Sequence, residues 1–232
     1  MKLLAFDTST EQLYVAVQSG GPAGALLEHR AAGGALASTT LIPAIQQLLA
    51  RAGLRLGELD AIVFGQGPGS FTGLRTACSV AQGLAFGAGV RVLPVGTLLA
   101  VAQDAHGRTG AEHVVAVLDA RMGEVYSARY IRSPEGWQQQ GPVELGPPEA
   151  VPVPAGASLA GNAFAAYAAR LPAAATRIEA MPTATALLRL APALLAANLA
   201  QPAIGATPLY IRDKVAQTTA ERAAARPATV KP

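Results

Sequence analysis

The chain has 232 residues, 51% of them hydrophobic and only 5% aromatic, with a formal net charge of +3. That is ample for a packed core, and the abundance of Ala and Gly predicts close approach of small side chains over ring stacking. The single cysteine, Cys78, excludes an intramolecular disulfide framework and fits a reducing compartment, and the short apolar run before Asp7 is too brief for a signal-peptide core or a membrane span.

Residues 2–6 read as a first strand and residues 13–17 as a second, joined by Asp7-Thr8-Ser9-Thr10-Glu11-Gln12. The carboxylate and hydroxyl groups of that connection suit either of two roles, satisfying the turn's own backbone or facing a phosphate and its metal. A third strand near residues 25–31, after the Gly20-Gly21-Pro22 turn, completes an antiparallel meander. The first helix is predicted from Thr39 or Thr40 to Ala52, with Leu41, Ile45, Leu48 and Ala52 on one stripe and Ile42 and Leu49 on its flank. Pro43 fits its first turn, Ser38 to Thr40 offer caps, and Gly53 ends it. The apolar arc is wider than one sheet face needs, so a partner helix or another subunit is expected to share it.

After Gly57-Glu58-Leu59-Asp60 comes a buried strand at residues 61–64, then Gly65-Gln66-Gly67-Pro68-Gly69-Ser70-Phe71-Thr72-Gly73-Leu74-Arg75, then helical spacing over residues 74–86. Four glycines at a strand-to-helix junction can bring bare N–H groups to an anion at the helix N-terminus, with Ser70, Thr72 and Arg75 adding donors. They serve equally well for a tight turn with close helix packing, and the stretch matches neither standard phosphate-loop spacing. Ala77, Ala81 and Ala85 fall four apart beside Ser79 and Gly83, giving a face another backbone can approach. Residues 90–95 read as a strand, 96–105 as a helix, and His106-Gly107 as a linker.

The second half opens on the apolar strand Val114-Val115-Ala116-Val117-Leu118-Asp119 and returns through Ala120-Arg121-Met122-Gly123-Glu124-Val125-Tyr126. Strand, Asp, turn and returning strand thus occur twice, which predicts a duplicated architecture. Asp7 and Asp119, at equivalent strand ends, either face one cleft or organise their own turns. Five prolines between residues 142 and 154 predict an extended crossover, with helices at residues 163–170 and 184–198. His29, His106 and His113 form no ligand pair at helical spacing, and no Gly-x-Ser-x-Gly elbow is present. The whole charge excess lies after Ile211, where Arg212, Lys214, Arg222, Arg226 and Lys231 face only Asp213 and Glu221. Such a tail is either an RNA contact or a solvated terminus.

Four blocks in this order, Leu4-Ala5-Phe6-Asp7-Thr8-Ser9-Thr10, the glycine-rich stretch from Gly65 to Arg75, Leu118 through Tyr126, and Pro208-Leu209-Tyr210-Ile211-Arg212, resemble the bacterial TsaB (YeaZ) family. The resemblance implies an α/β fold of the actin-like, sugar-kinase type (ASKHA) with two related subdomains. It would divide the chain into an N-terminal subdomain at residues 1–106, a C-terminal one at 107–214, and a basic tail at 215–232 that is frayed or packs back on the first. It also implies a role in forming the threonylcarbamoyl group on N6 of adenosine in tRNAs that read codons beginning with A.

In that family this subunit is the non-catalytic partner. A TsaD-type paralogue carries the metal motif and transfers the group, and a TsaE-type ATPase is also needed. The expectations are therefore no cofactor of its own, ATP and a metal ion in partner subunits, a homodimer in isolation, tRNA reached through the complex, no membrane, and the cytoplasm as location. The family's dimer contacts come chiefly from its first two helices, which joins the apolar arc read above and marks Leu41, Ile45, Leu48, Leu49, Ala77 and Ala81 as partner-binding. One departure is the start of the first helix, Ala37-Ser38-Thr39, where members often carry a His-Ser-Glu-like sequence. The competing class is an autonomous ATPase or phosphotransferase contacting nucleotide or phosphate through Asp7, Thr8, Gly67, Gly69, Ser70, Arg75 and Asp119.

Overall fold

The computed structural model describes residues 1–20, 24–174 and 176–212. The tail at 215–232, with the RNA contact proposed for it, lies outside them.

The first sheet grows from β1 (Leu3–Asp7), β2 (Gln12–Gln18) and β3 (Leu26–Ala32) as the antiparallel meander read from the sequence, and β4 (Ala61–Gly67) and β5 (Val92–Gly96) extend it in parallel, giving the order β3-β2-β1-β4-β5. The second sheet repeats this plan. Strands β6 (His113–Arg121), β7 (Glu124–Ser133) and β8 (Gly136–Gln139) form a second meander, β9 (Glu144–Gly146) pairs with β7, and β10 (Ser158–Gly161) and β11 (Thr176–Glu179) extend the sheet in parallel from β6. The order β8-β7-β6-β10-β11 matches the first sheet strand for strand, so the expected duplication is present in the topology.

Helices α1 (Ala37–Ala52) and α2 (Phe71–Ala88) cover the outer face of the first sheet, where Leu4, Phe6, Val15, Ile62 and Phe64 meet Leu41, Ile45, Leu48, Ala77 and Ala81. The period of two in β1 sends Leu3 and Ala5 to the opposite face, against Leu187 and Ala191 of α5 (Ala184–Ala196). Between α5 and the second sheet lies α3 (Thr97–Thr109), whose Leu98, Val101 and Ala105 pack on Val114, Ala116 and Leu118. A short α4 (Phe164–Tyr167) covers the far face of that sheet. A strand covered on both faces has no room for alternation, which is why β1 and β4 read as continuous apolar runs.

Four local expectations are revised. Helix α1 starts at Ala37, so Pro43 sits in its interior rather than in its first turn. The hydroxyls of Thr39 and Thr40 do not cap it but donate to the Leu36 carbonyl, each at 2.9 Å, because the single turn at residues 34–36 runs straight into the helix. His106-Gly107 is not a linker, since α3 continues to Thr109 and ends on left-handed Gly110. The Arg189 guanidinium of α5 lies over Gly107. The helix expected over residues 163–170 keeps only its first turn as α4.

Candidate functional site

The two central strands β1 and β6 end in Asp7 and Asp119, and the space between the two halves is a cleft of about 350 Å³. Ser9, Glu11 and Ser70 line it from the first half, Asp119, Met122 and Asn162 from the second, and Leu209 to Arg212 from the segment that follows α5. One hydrogen bond crosses it, from Asn162 Nδ2 to Glu11 Oε2 at 3.3 Å.

The glycine-rich stretch is packed against the β1–β2 connection. Ser70 N–H donates to the Ser9 carbonyl at 2.7 Å, and the Thr8 hydroxyl donates to the Gly73 carbonyl at 2.7 Å. A Cβ on Gly69 would stand 2.6 Å from the Ser9 carbonyl oxygen, one on Gly65 would overlap the Asp7 carboxylate, and one on Gly73 would overlap the Thr8 carbonyl. Gly67, at φ +121°, gives its N–H to Thr97 Oγ1 at 3.1 Å and leaves room for the Leu209 carbonyl, 2.7 Å from where its Cβ would be. The glycines thus make room for the chain's own atoms, the Asp7 carboxylate at Gly65 and backbone at the other three, which is the tight-packing alternative of the two read from the sequence.

Asp7 is fully buried beneath this loop and does not line the cleft. Its Oδ1 accepts from the Ser9 N–H at 2.8 Å and the Ser9 hydroxyl at 2.6 Å, while its buried Oδ2 has no hydrogen-bond partner among the described residues. Burial pushes its pKa from 3.8 up to about 6, against the opposing pull of the Ser9 bonds. Arg75 is exposed, its guanidinium 3.8 Å over the ring of Phe71 and its Nε donating to the Tyr210 hydroxyl at 3.0 Å, both of them residues that line the cleft. Of the seven residues proposed for nucleotide or phosphate contact, the structure brings Gly69, Ser70 and Asp119 to the cleft. Asp7, Thr8 and Gly67 have internal contacts instead, a correction that follows from how tightly the loop is packed, while Arg75 stands exposed beside the cleft-lining Phe71 and Tyr210.

Asp119 organises its own turn. Its Oδ1 accepts from the Arg121 N–H at 2.7 Å and the Tyr167 hydroxyl at 3.0 Å, its Oδ2 pairs with the Arg121 guanidinium at 3.0 Å, and its N–H donates to Asn162 Oδ1. The turn holds Arg121 and Met122 at φ +63° and +56°, a left-handed conformation unfavourable for side chains of that size, and leaves Met122 67% exposed. No role is read for Met122 from the sequence, because two adjacent left-handed residues that are not glycine leave no compositional mark. Among the described residues, no three His, Cys, Asp or Glu side chains cluster as a metal site would require, and no helix is long and apolar enough to cross a membrane.

The six residues marked for partner binding need the same correction. Leu41, Ile45, Leu48, Leu49, Ala77 and Ala81 are each at most 5% exposed, inside the subunit's own core. The first sheet and the neighbouring helix cover these six positions, because five strands present a broad apolar face, and of the arc's large side chains Ile42 is left outside. The outward faces carry other side chains, Leu36 and Ile42 beside α1 and Phe86 on α2, at 57%, 40% and 83% exposure, with Ser79 and Gly83 also exposed.

The family model described as TsaD, tRNA N6-adenosine threonylcarbamoyltransferase, matches residues 35–220. The tRNA threonylcarbamoyladenosine biosynthesis protein TsaB of Haemophilus influenzae is 46% identical over 136 residues, and that of Escherichia coli K12 is 40% identical over 141. These matches take in 57% and 59% of this chain and 55% and 58% of the relatives, so the chain spans little more than half the length of the curated relatives it matches. The solved structure of YeaZ from Pseudomonas aeruginosa superposes with a TM-score of 0.83 at 40% identity, over 90% of this chain and 99% of that one. The duplicated halves are those of the actin-like fold, and the chain belongs to the TsaB/YeaZ family.

Proposed function

We propose that the chain is a non-catalytic accessory subunit in forming the threonylcarbamoyl group on N6 of adenosine in tRNAs that read codons beginning with A. The names of its relatives support a place in that biosynthesis. The observation that carries the non-catalytic reading is the glycine-rich stretch: the place of a side chain at Gly65, Gly67, Gly69 and Gly73 is in each case filled by this chain's own atoms, so close packing accounts for the glycines without a phosphate cradle. On this reading the subunit has no cofactor of its own, ATP and the metal ion belong to TsaE-type and TsaD-type partners, and tRNA is met through the assembly in the cytoplasm.

It acts by pairing with the TsaD-type transferase, and in isolation with a second copy of itself, through the outward faces of α1 and α2. Support for this surface is its composition: Ile42, Leu36 and Phe86 are large apolar side chains left in solvent, while Ser79 and Gly83 let another backbone approach. Mixing the purified chain with a TsaD-type paralogue on a sizing column tests it. A stoichiometric complex with no nucleotide turnover by this chain alone is expected, and steady turnover by the chain alone would overturn the reading in favour of an autonomous ATPase.

A further inference from the structure

We propose that residues 206–212 are a clasp that sets how far the cleft between the two halves can open. The segment begins on the first half. Gln201 exchanges both backbone hydrogen bonds with Val92 at 2.9 and 2.7 Å, and Ala206 is buried among the side chains of the outer core. It then passes across the end of β4, where Leu209 N–H donates to the Gln66 carbonyl at 2.9 Å and the Leu209 carbonyl lies against the bare Cα of Gly67. Tyr210 joins the start of α2, its ring 5.4 Å from Phe71 and its hydroxyl held by Arg75. One residue later the chain is on the second half. Ile211 packs beneath the second sheet, and the Arg212 guanidinium donates to the Ala120 carbonyl at 3.0 Å and pairs with Glu124 at 2.8 Å.

Seven residues therefore tie the two halves together along one wall of the cleft. Away from the cleft mouth the halves are joined through the shared middle layer, where α3 packs on both sheets and α5 on the first. A cleft with a packed layer on one side and a short strap on the other opens by hinge motion once the strap lets go. The strap's attachments are uneven. Its hold on the first half is backbone pairing and ring stacking, whereas among the described residues its hold on the second rests on Ile211 and one arginine, whose side chain is only 15% exposed. Release is therefore expected at Arg212, unpairing the Glu124 carboxylate and the Ala120 carbonyl that flank the strained Arg121–Met122 turn.

Hydrogen exchange of the full chain, read by mass spectrometry, tests this with Arg212→Ala and, as a control keeping the positive charge, Arg212→Lys. In Arg212→Ala, amides of the β6–β7 turn and of residues 8–11 should exchange at least tenfold faster while those of α3 and α5 stay at wild-type protection, with Arg212→Lys between. A second readout is the distance between spin labels on Arg55→Cys and Glu135→Cys, exposed positions on opposite halves, since the native Cys78 thiol is buried and pushed up to about 12. Its distribution should shift to longer distances in Arg212→Ala. Unchanged exchange and distance would overturn the proposal, as would a uniform loss of protection across both halves, which would make Arg212 an ordinary contributor to stability.

Discussion

Thr8 and Gly73 touch backbone to backbone: the Thr8 hydroxyl donates to the Gly73 carbonyl, and the Thr8 carbonyl occupies the place a Cβ of residue 73 would take. This contact decides the sign of a substitution that propensity alone gets wrong. Gly to Ala inside a helix ordinarily stabilises by about 1 kcal/mol. At Gly73 the added methyl has nowhere to go against a buried backbone, so Gly73→Ala is expected to destabilise by about 3 kcal/mol. At Gly83 of the same helix nothing lies within 4 Å, and Gly83→Ala is expected to stabilise by up to about 1 kcal/mol. Denaturant midpoints of the two variants check the pair.

Gly83 also separates stability from association. Because it lies on the outward face of α2, the stabilising methyl would stand in the proposed partner contact. Gly83→Ala is therefore expected to melt later yet bind the paralogue more weakly. A variant that melts later and binds normally would remove Gly83 from the interface.

The Asp7 carboxyl gives a pH dependence with a definite sign. Its pKa is about 6 when folded and 3.8 as the unperturbed value, so between those pH values the folded chain holds a proton that the unfolded chain has lost. Stability should fall as pH rises from about 4 to about 6 and then level off, with Asp7 contributing about 3 kcal/mol to the fall. Urea unfolding at pH 4.5 and 7.5, for wild type and Asp7→Asn, measures it. Asp7→Asn should flatten the profile, since the amide keeps an acceptor for Ser9 without a buried charge.

The faces of α2 are told apart by two arginines. Ala81→Arg places a charge in the core of the subunit and is expected to unfold it, seen as lost helical circular dichroism. Phe86→Arg changes a side chain already in solvent, so the subunit should stay folded while affinity for the paralogue drops by about 2 kcal/mol, a factor of about thirty.

The residues explain why the fold was more legible in the sequence than the site. Strands such as Leu3–Asp7 and Ala61–Gly67 are buried on both faces and announce themselves as apolar runs, and the repeated strand-Asp-turn pattern revealed the duplication. Helix phase was harder. Both sides of α2 are lined by small residues, so Ala77-Ala81-Ala85 looked as approachable as Ser79-Gly83, and only the structure shows that the alanines face inward. The glycine-rich stretch was ambiguous for a related reason. Glycine marks close approach without naming what approaches, and here it is Asp7, Thr8, Ser9 and Leu209. Nothing in the local pattern near Leu209 signalled that it crosses back to Gln66, because that contact spans most of the chain.

Reconstituted tRNA modification tests the accessory role most directly. An unmodified tRNA with an anticodon reading a codon that begins with A is incubated with threonylcarbamoyl-adenylate, the TsaD-type paralogue and the TsaE-type ATPase, with and without this chain, and threonylcarbamoyladenosine is counted after digestion. Modification is expected only when this chain and the paralogue are both present, and Phe86→Arg should lose it in proportion to its weaker binding. Full modification with this chain omitted, or modification by this chain without the paralogue, would contradict the accessory role.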